Sequence, residues 1–153
     1  MGETDFGQFR GKTTSRCDAL LRAVGIKLFS SVIKDTPVGN PDLWKQGKAD
    51  AKGRKKPPAG YVGGRLRANW NCSLAMPDTS TTESVNHGQA IPKMQAVCLT
   101  ADRKDVLWLS NSLPYAYRIE YEGHSRQAPF GMVRRNKTRI ETLVHRELLK
   151  LKF

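Results

Sequence analysis

Apolar residues recur at helical spacing near the start of the chain. Six of them fall at the i, i+3 and i+4 positions that share one face of a helix: Cys17, Leu20, Leu21, Val24, Leu28 and Val32. Ser15 can cap the first turn, and Pro37 ends the segment because the residue before a proline avoids the helical conformation. The pattern predicts an amphipathic helix that begins near Ser15, after a flexible polar tail over residues 1–13.

A different periodicity follows in residues 65–75. Five apolar residues alternate there with polar ones: Leu66, Ala68, Trp70, Cys72 and Leu74. Strict alternation predicts a strand with one apolar face, which is typical of an antiparallel sheet whose second face meets water or a partner. Residues 105–111 predict a second strand.

The remaining elements are predicted from shorter patterns. Residues 90–101 fit a helix with Ile91, Met94 and Cys98 on one side. Residues 115–122 fit either a strand or a short helix, because Tyr117 and Tyr121 suit both periods. A last amphipathic helix is expected from Pro129 to Lys150. The length of 153 residues fits a single domain over 1–153.

Residues 36–64 show no period and predict a long, extended basic loop. They combine many glycines and prolines with six lysine or arginine residues: Lys45, Lys48, Lys52, Arg54, Lys55 and Lys56. Trp44 and Tyr61 flank this basic run. A loop of this length inside one domain is uncommon and is usually functional or disordered.

Charge makes this loop the main candidate for a binding site. The chain carries a formal net charge of +12 at pH 7, which indicates an anionic partner. Three interpretations of the loop stay open: it contacts phosphates, it docks on an acidic neighbouring subunit, or it is simply solvated. Trp44 and Tyr61 could stack on bases or anchor the loop in an interface.

Candidate chemistry is sparse, and no catalytic, metal or cofactor site is predicted. Cys17, Cys72 and Cys98 are an odd number without metal-ligand spacing, and we expect buried, reduced thiols. The histidines lack the spacing of a zinc site. Glu120 and Glu122 are expected to be exposed charges. The start of the chain shows no signal peptide, and no run of residues is apolar enough to span a membrane.

Two stretches of the chain carry a family resemblance. The first is Thr36-Pro37-Val38-Gly39, which continues after an insertion at Gly64-Arg65-Leu66-Arg67-Ala68-Asn69-Trp70. The second runs from Trp108 to Gly123 and is followed by Gln127-Ala128-Pro129-Phe130-Gly131. In order, spacing and residue type, they resemble the tail-completion, or minor tail, proteins of tailed bacteriophages, the neck family to which the lambda Z protein is related.

Members of that family carry S/T-P-V-D-T-G, then R-L-R-x-S-W, and later N-x-x-P-Y-A and E-Y/F-G. The residues of this chain that match are Thr36, Pro37, Gly64, Arg65, Leu66, Arg67, Trp70, Asn111, Pro114, Tyr115, Glu120, Tyr121, Gly123, Pro129 and Gly131. The chain departs from the family between Gly39 and Gly64, where the basic insertion lies.

The resemblance implies an α+β fold, in which a small antiparallel sheet is packed by the N-terminal and C-terminal amphipathic helices. It also implies a structural subunit, not an enzyme, in a ring at the head–tail junction, which completes the neck or tail so that head and tail join and DNA can pass. The expected partners are copies of the chain, neighbouring neck, portal-side or tail proteins, and DNA through non-specific contact. The expected place is the virion, after synthesis in the host cytoplasm, with no membrane contact.

Two other functions were weighed against this one. The charge also fits a stand-alone, sequence-independent nucleic-acid-binding protein. A Cys- or carboxylate-dependent enzyme has nothing in its favour beyond the presence of those residues.

Overall fold

The structure, a computed structural model, describes residues 3–40 and 60–151. Its elements, in chain order, are α1 (Glu3–Asp35), α2 (Arg65–Ala68), β1 (Asn71–Leu74), a 3-10 turn (His87–Gln89), α3 (Ala90–Thr100), β2 (Leu107–Ser110), α4 (Ala116–Tyr121), α5 (Val133–Lys137) and α6 (Ile140–Lys150). The predicted α+β class is confirmed: helices pack around a small antiparallel sheet.

Helix α1 is longer than its apolar pattern predicts. It begins at Glu3, so the expected start near Ser15 and the expected flexible tail over 1–13 are wrong for residues 3–13. No proline interrupts the segment, Asp5 in the first turn suits the helix dipole, and Gly7 and Gly11 each weaken the helix by only about 1 kcal/mol. Its first turns cover no core, since residues 5–12 are all exposed.

The sheet consists of two antiparallel strands, with Cys72 opposite Leu109 and Ser73 opposite Trp108. The predicted strand over 65–75 is correct only in its second half, because residues 65–68 form the helical turn α2. Leu66 and Trp70 are both buried. Their spacing of four residues fits one face of a helix as well as it fits alternation in a strand.

The core forms where α1 packs against α3, α5 and α6, and where α3 packs against β1. Its largest members are Val32, Ile33, Leu66, Trp70, Met94, Leu113, Ile119 and Met132. Burying each large side chain contributes roughly 1.5–3 kcal/mol. The predicted helix over 90–101 is confirmed as α3, which buries Met94 and Cys98 against α1 and β1.

The ambiguous region 115–122 is helical, and the predicted last helix is interrupted. Residues 115–122 contain α4, which buries Ala116 and Ile119 and exposes Tyr117 and Tyr121. The single helix expected from Pro129 to Lys150 is two helices, α5 and α6, because a turn interrupts the segment between them. Among the described helices, none is long and apolar enough to cross a bilayer.

Candidate functional site

Most of the predicted basic loop lies outside the described residues. This applies to Trp44, Lys45, Lys48, Lys52, Arg54, Lys55 and Lys56. Tyr61, at the far end of the loop, is described and half-buried, and its phenol lies against Gly39. The interpretations of the loop as a DNA contact or a subunit contact therefore stay predictions.

The two ends of that segment meet in the fold. A Cβ atom built on Gly63 would overlap the backbone of Gly39, and one built on Gly39 would overlap the Tyr61 ring. Only glycine allows two backbones to approach so closely. Gly39 and Gly63, which border the interruption of the family resemblance in the sequence, are therefore in contact in the fold.

The first motif stretch closes the end of α1. The indole Nε1 of Trp70 donates a 2.7 Å hydrogen bond to Oγ1 of Thr36, and that hydroxyl in turn donates to the carbonyl of Val32 at 2.8 Å. The Arg67 guanidinium donates to the carbonyls of Thr36 and Lys34. A cation on the last carbonyls of a helix satisfies acceptors that have no intrahelical donor.

The neighbouring motif residues fix the turn α2. Gly64 has a φ of 118°, which favours glycine, and it precedes the first helical residue. Arg65 forms an ion pair with Glu83, and its Nε donates to the carbonyl of Thr82. The side-chain amide of Asn111 donates to the carbonyl of Leu66 at 2.8 Å, so the residue after β2 holds α2 in place.

The second motif stretch centres on Glu120. The residue is only 7% exposed, so the expectation of an exposed charge is wrong for Glu120, whereas Glu122 is exposed as predicted. The Glu120 carboxylate accepts hydrogen bonds from the backbone N–H groups of Met132 at 2.6 Å, Val133 at 2.9 Å and Arg134 at 2.9 Å. A carboxylate that receives the free N–H groups at the start of a helix is a capping arrangement.

Gly131 makes this cap sterically feasible. It has a φ of 77°, and a Cβ atom there would lie 2.6 Å from the Glu120 carbonyl oxygen. Gly123 also has a positive φ, of 61°, and ends α4. Pro129, between them, is exposed and lies in the connecting turn.

An exposed aromatic and apolar surface lies beside the cap. The Tyr117 and Tyr121 rings are 4.8 Å apart, and the Arg134 guanidinium lies 5.1 Å from the centre of the Tyr121 ring. Phe130 and Val133 are exposed nearby in sequence. A shallow groove of about 470 Å³ runs past Pro114, Tyr117, Tyr121 and Val133.

A larger cleft lies where the two motif stretches face each other. Its volume is about 720 Å³, and its walls include Pro37, Tyr61, Leu66, Tyr115 and Ile119. Burial raises the pKa of Tyr115, while the nearby Arg65 opposes that rise. The lining also includes Gly39, Asn40 and Tyr61, which border the predicted basic run in the sequence.

The three cysteines differ in their exposure. Cys17 is exposed, which contradicts its predicted burial, Cys98 is buried, and Cys72 is half-buried. The sulfur atoms of Cys72 and Cys98 are 3.9 Å apart, and this hydrogen bond raises the pKa of Cys72 and lowers that of Cys98. Within residues 3–40 and 60–151, no cluster of three His, Cys, Asp or Glu side chains could hold a metal ion.

Several of the motif residues hold neighbouring elements together through hydrogen bonds. Two of them, Thr36 and Glu120, are buried polar groups with several hydrogen-bond partners, and no buried side-chain nitrogen or oxygen in the described part of the chain lacks a partner.

The sequence analysis missed one charged feature, a groove between α1 and α6. Its signals in the sequence are the seven-residue spacings of Lys27 and Lys34 and of Arg139 and Arg146.

Searches among family models, curated proteins and solved structures find no match to this chain.

Proposed function

We propose that this chain is a structural subunit of a ring at the neck of a tailed bacteriophage, where it completes the neck or tail so that head and tail join. The proposal rests on the resemblance of the two motif stretches to tail-completion proteins. The proposed place of action is the virion, and the role requires no catalysis and no cofactor. Its partners would be copies of the chain and neighbouring neck, portal-side or tail proteins.

The observation that carries the proposal is the uncovered start of α1. The helix has 33 residues and is therefore about 50 Å long. Phe6 and Phe9 lie one turn apart, and their side chains are 75% and 68% exposed. Two neighbouring phenylalanines on a projecting helix are costly in water and are typical of a surface that another chain covers.

The sheet gives a second, weaker support. Its two strands pair only with each other among the described strands, so neither outer edge pairs with a further described strand. Trp108 on β2 is 40% exposed. Open edges with an exposed aromatic invite pairing with another chain, which a closed ring provides in an ordered way.

The functional test is to remove the chain from the virus that encodes it. The proposal predicts separate filled heads and tails in electron micrographs of the lysate, and joined particles when the chain is supplied from a plasmid. Normal numbers of joined particles without the chain would contradict the proposal.

A matched pair of variants tests the role of α1 in the same assay. Phe6→Ser with Phe9→Ser should fail to restore joined particles. Leu99→Ser with Val106→Ser removes two other exposed apolar side chains and should restore them. Equal restoration by both variants would mean that the start of α1 is not a subunit contact.

The second candidate is a stand-alone, sequence-independent nucleic-acid-binding protein. The net charge of +12 and the basic groove between α1 and α6 favour it. It differs from the neck role in its prediction for the virion, where such a protein need not be present.

A further inference from the structure

A groove of about 690 Å³ runs between the second half of α1 and the last helix, α6. Its lining combines basic side chains, hydroxyl groups and two apolar residues: Ile26, Lys27, Ser30, Ser31, Lys34, Asn136, Arg139, Thr142, Leu143 and Arg146. Among the described residues, no carboxylate is part of this lining. The groove is thus a concave surface of one charge sign, which concentrates the field of its cations.

Three of the four cations in the groove have no counter-ion of their own. Lys27 is ion-paired with Glu147, which also pairs with Lys150. Lys34, Arg139 and Arg146, by contrast, have no acidic partner within the described residues. Asp35, next to Lys34, already accepts a hydrogen bond from Asn136 at 2.9 Å.

The cations form two facing rows. Lys27 and Lys34 are seven residues apart on α1, and Arg139 and Arg146 are seven residues apart at and within α6. Seven residues are about two helical turns and span roughly 10 Å, so each row places both of its cations on one side of its helix. An elongated anion with repeated charges fits two such rows better than a single small ion does.

The hydroxyl groups favour phosphate as that repeated charge. Ser30 and Ser31 lie on the α1 side of the groove, and Thr142 lies on the α6 side. Arginine, lysine, serine, threonine and asparagine are the side chains that make most phosphate contacts in protein–nucleic acid complexes. Arginine also matches phosphate oxygens with two parallel hydrogen bonds.

We propose that the α1–α6 groove binds the phosphodiester backbone of a nucleic acid, with Lys34, Arg139 and Arg146 as the phosphate contacts. We expect the contact to be independent of base sequence, because contacts to phosphate carry no sequence information directly. The described lining residues all lie outside segment 41–59, and the proposal does not depend on the neck role. A virion protein and a stand-alone binding protein could both use it.

The test is binding of a fluorescent DNA duplex to the full chain, measured by anisotropy over a range of salt concentrations. Arg139→Gln with Arg146→Gln should weaken binding about tenfold or more and reduce the slope of log affinity against log salt by about 2, since each phosphate contact contributes about 0.9. Lys93→Gln with Lys104→Gln removes the same charge outside the groove and should leave the slope close to that of the parent chain. Both residues are exposed.

Thermal unfolding checks that each variant is folded. If the variant with Arg139→Gln and Arg146→Gln is not folded, the variant with Lys34→Gln and Arg146→Gln replaces it. Three results would overturn the proposal. The first is failure of the parent chain to bind duplex at low salt. The second is an equal loss of affinity in the groove and control variants. The third is that polyglutamate of the same charge binds as tightly as DNA and loses affinity equally in the groove variant, which would assign the groove to an acidic protein partner.

Discussion

The indole of Trp70 is hydrogen-bonded to the hydroxyl of Thr36, and the two residues belong to motif pieces that the long basic insertion separates in the sequence. Both side chains are buried. The bond therefore ties the end of α1 to the start of the sheet across the insertion. The two pieces of the motif on either side of the insertion are thus in direct contact.

Loss of this bond should destabilise the fold. We expect Thr36→Val to keep the shape of the side chain but leave the indole N–H of Trp70 buried without an acceptor, which lowers the free energy of unfolding by about 1–3 kcal/mol. Urea unfolding followed by tryptophan fluorescence measures this. Thr142→Val is the control, since Thr142 is exposed on α6. Equal stability of the two variants would show that the bond contributes little.

The cap that Glu120 forms on α5 leads to a second prediction. Glu120→Gln removes the negative charge and replaces one acceptor oxygen with an amide that faces N–H donors, so we expect a loss of about 1–2 kcal/mol in the free energy of unfolding. Glu122→Gln is the matched control, because its exposed ion pair with Arg118 should contribute less than about 0.5 kcal/mol. A larger effect at Glu122 would contradict the assigned cap.

The close approach of Gly39 and Gly63 makes a prediction for the insertion itself. Replacing residues 41–59 with Gly-Ser-Gly should leave the far-ultraviolet circular dichroism of the domain consistent with its helices. Shortening the loop should raise the free energy of unfolding by at most about 1.5 kcal/mol, because closure entropy changes slowly with loop length. An unfolded or aggregated product would mean that the segment is part of the domain's core.

The ion pairs of Glu147 predict a dependence on pH. Hydrogen bonds from Lys150 and Lys27 hold the pKa of Glu147 below its ordinary value of 4.5. A carboxyl group whose pKa is lower in the folded state stabilises the fold above its ordinary pKa, and this contribution disappears as the pH falls through the folded value.

We therefore expect Glu147→Gln to make the free energy of unfolding depend less steeply on pH below about 4.5. Urea unfolding at a series of pH values measures the slope. Glu141→Gln, which removes an exposed carboxylate from the same helix, should keep the slope of the parent chain. If both variants follow the parent curve, the ion pairs of Glu147 do not contribute to acid stability.

The periodicity of apolar residues correctly predicts the elements that pack on the core through one face. Helix α3 and strand β2 lie where the periodicity of residues 90–101 and 105–111 indicates. The pattern failed at residues 65–68, since the spacing of Leu66 and Trp70 satisfies both helical and alternating periods. Only the positive φ of Gly64 and the hydrogen bond from Asn111 decide for a helical turn, and neither can be seen in a single sequence.

The helix caps made by Glu120 and Arg67 could not be predicted from the sequence for a different reason. Glu120 caps a helix that begins more than ten residues later, and Arg67 caps a helix that ends far earlier in the chain. Such caps depend on tertiary approach, which local propensity does not encode. The α1–α6 groove was missed because its two cation rows belong to opposite ends of the sequence.

The most direct test of the proposed role is a cryo-electron microscopy map of the virion that encodes this chain. We expect a closed ring of copies between the portal side of the head and the tail, with residues 5–12 of α1 packed on a neighbouring subunit and segment 41–59 in contact with another chain. A virion that lacks the chain, or a chain at the junction whose α1 and segment 41–59 touch no other subunit, would contradict the account.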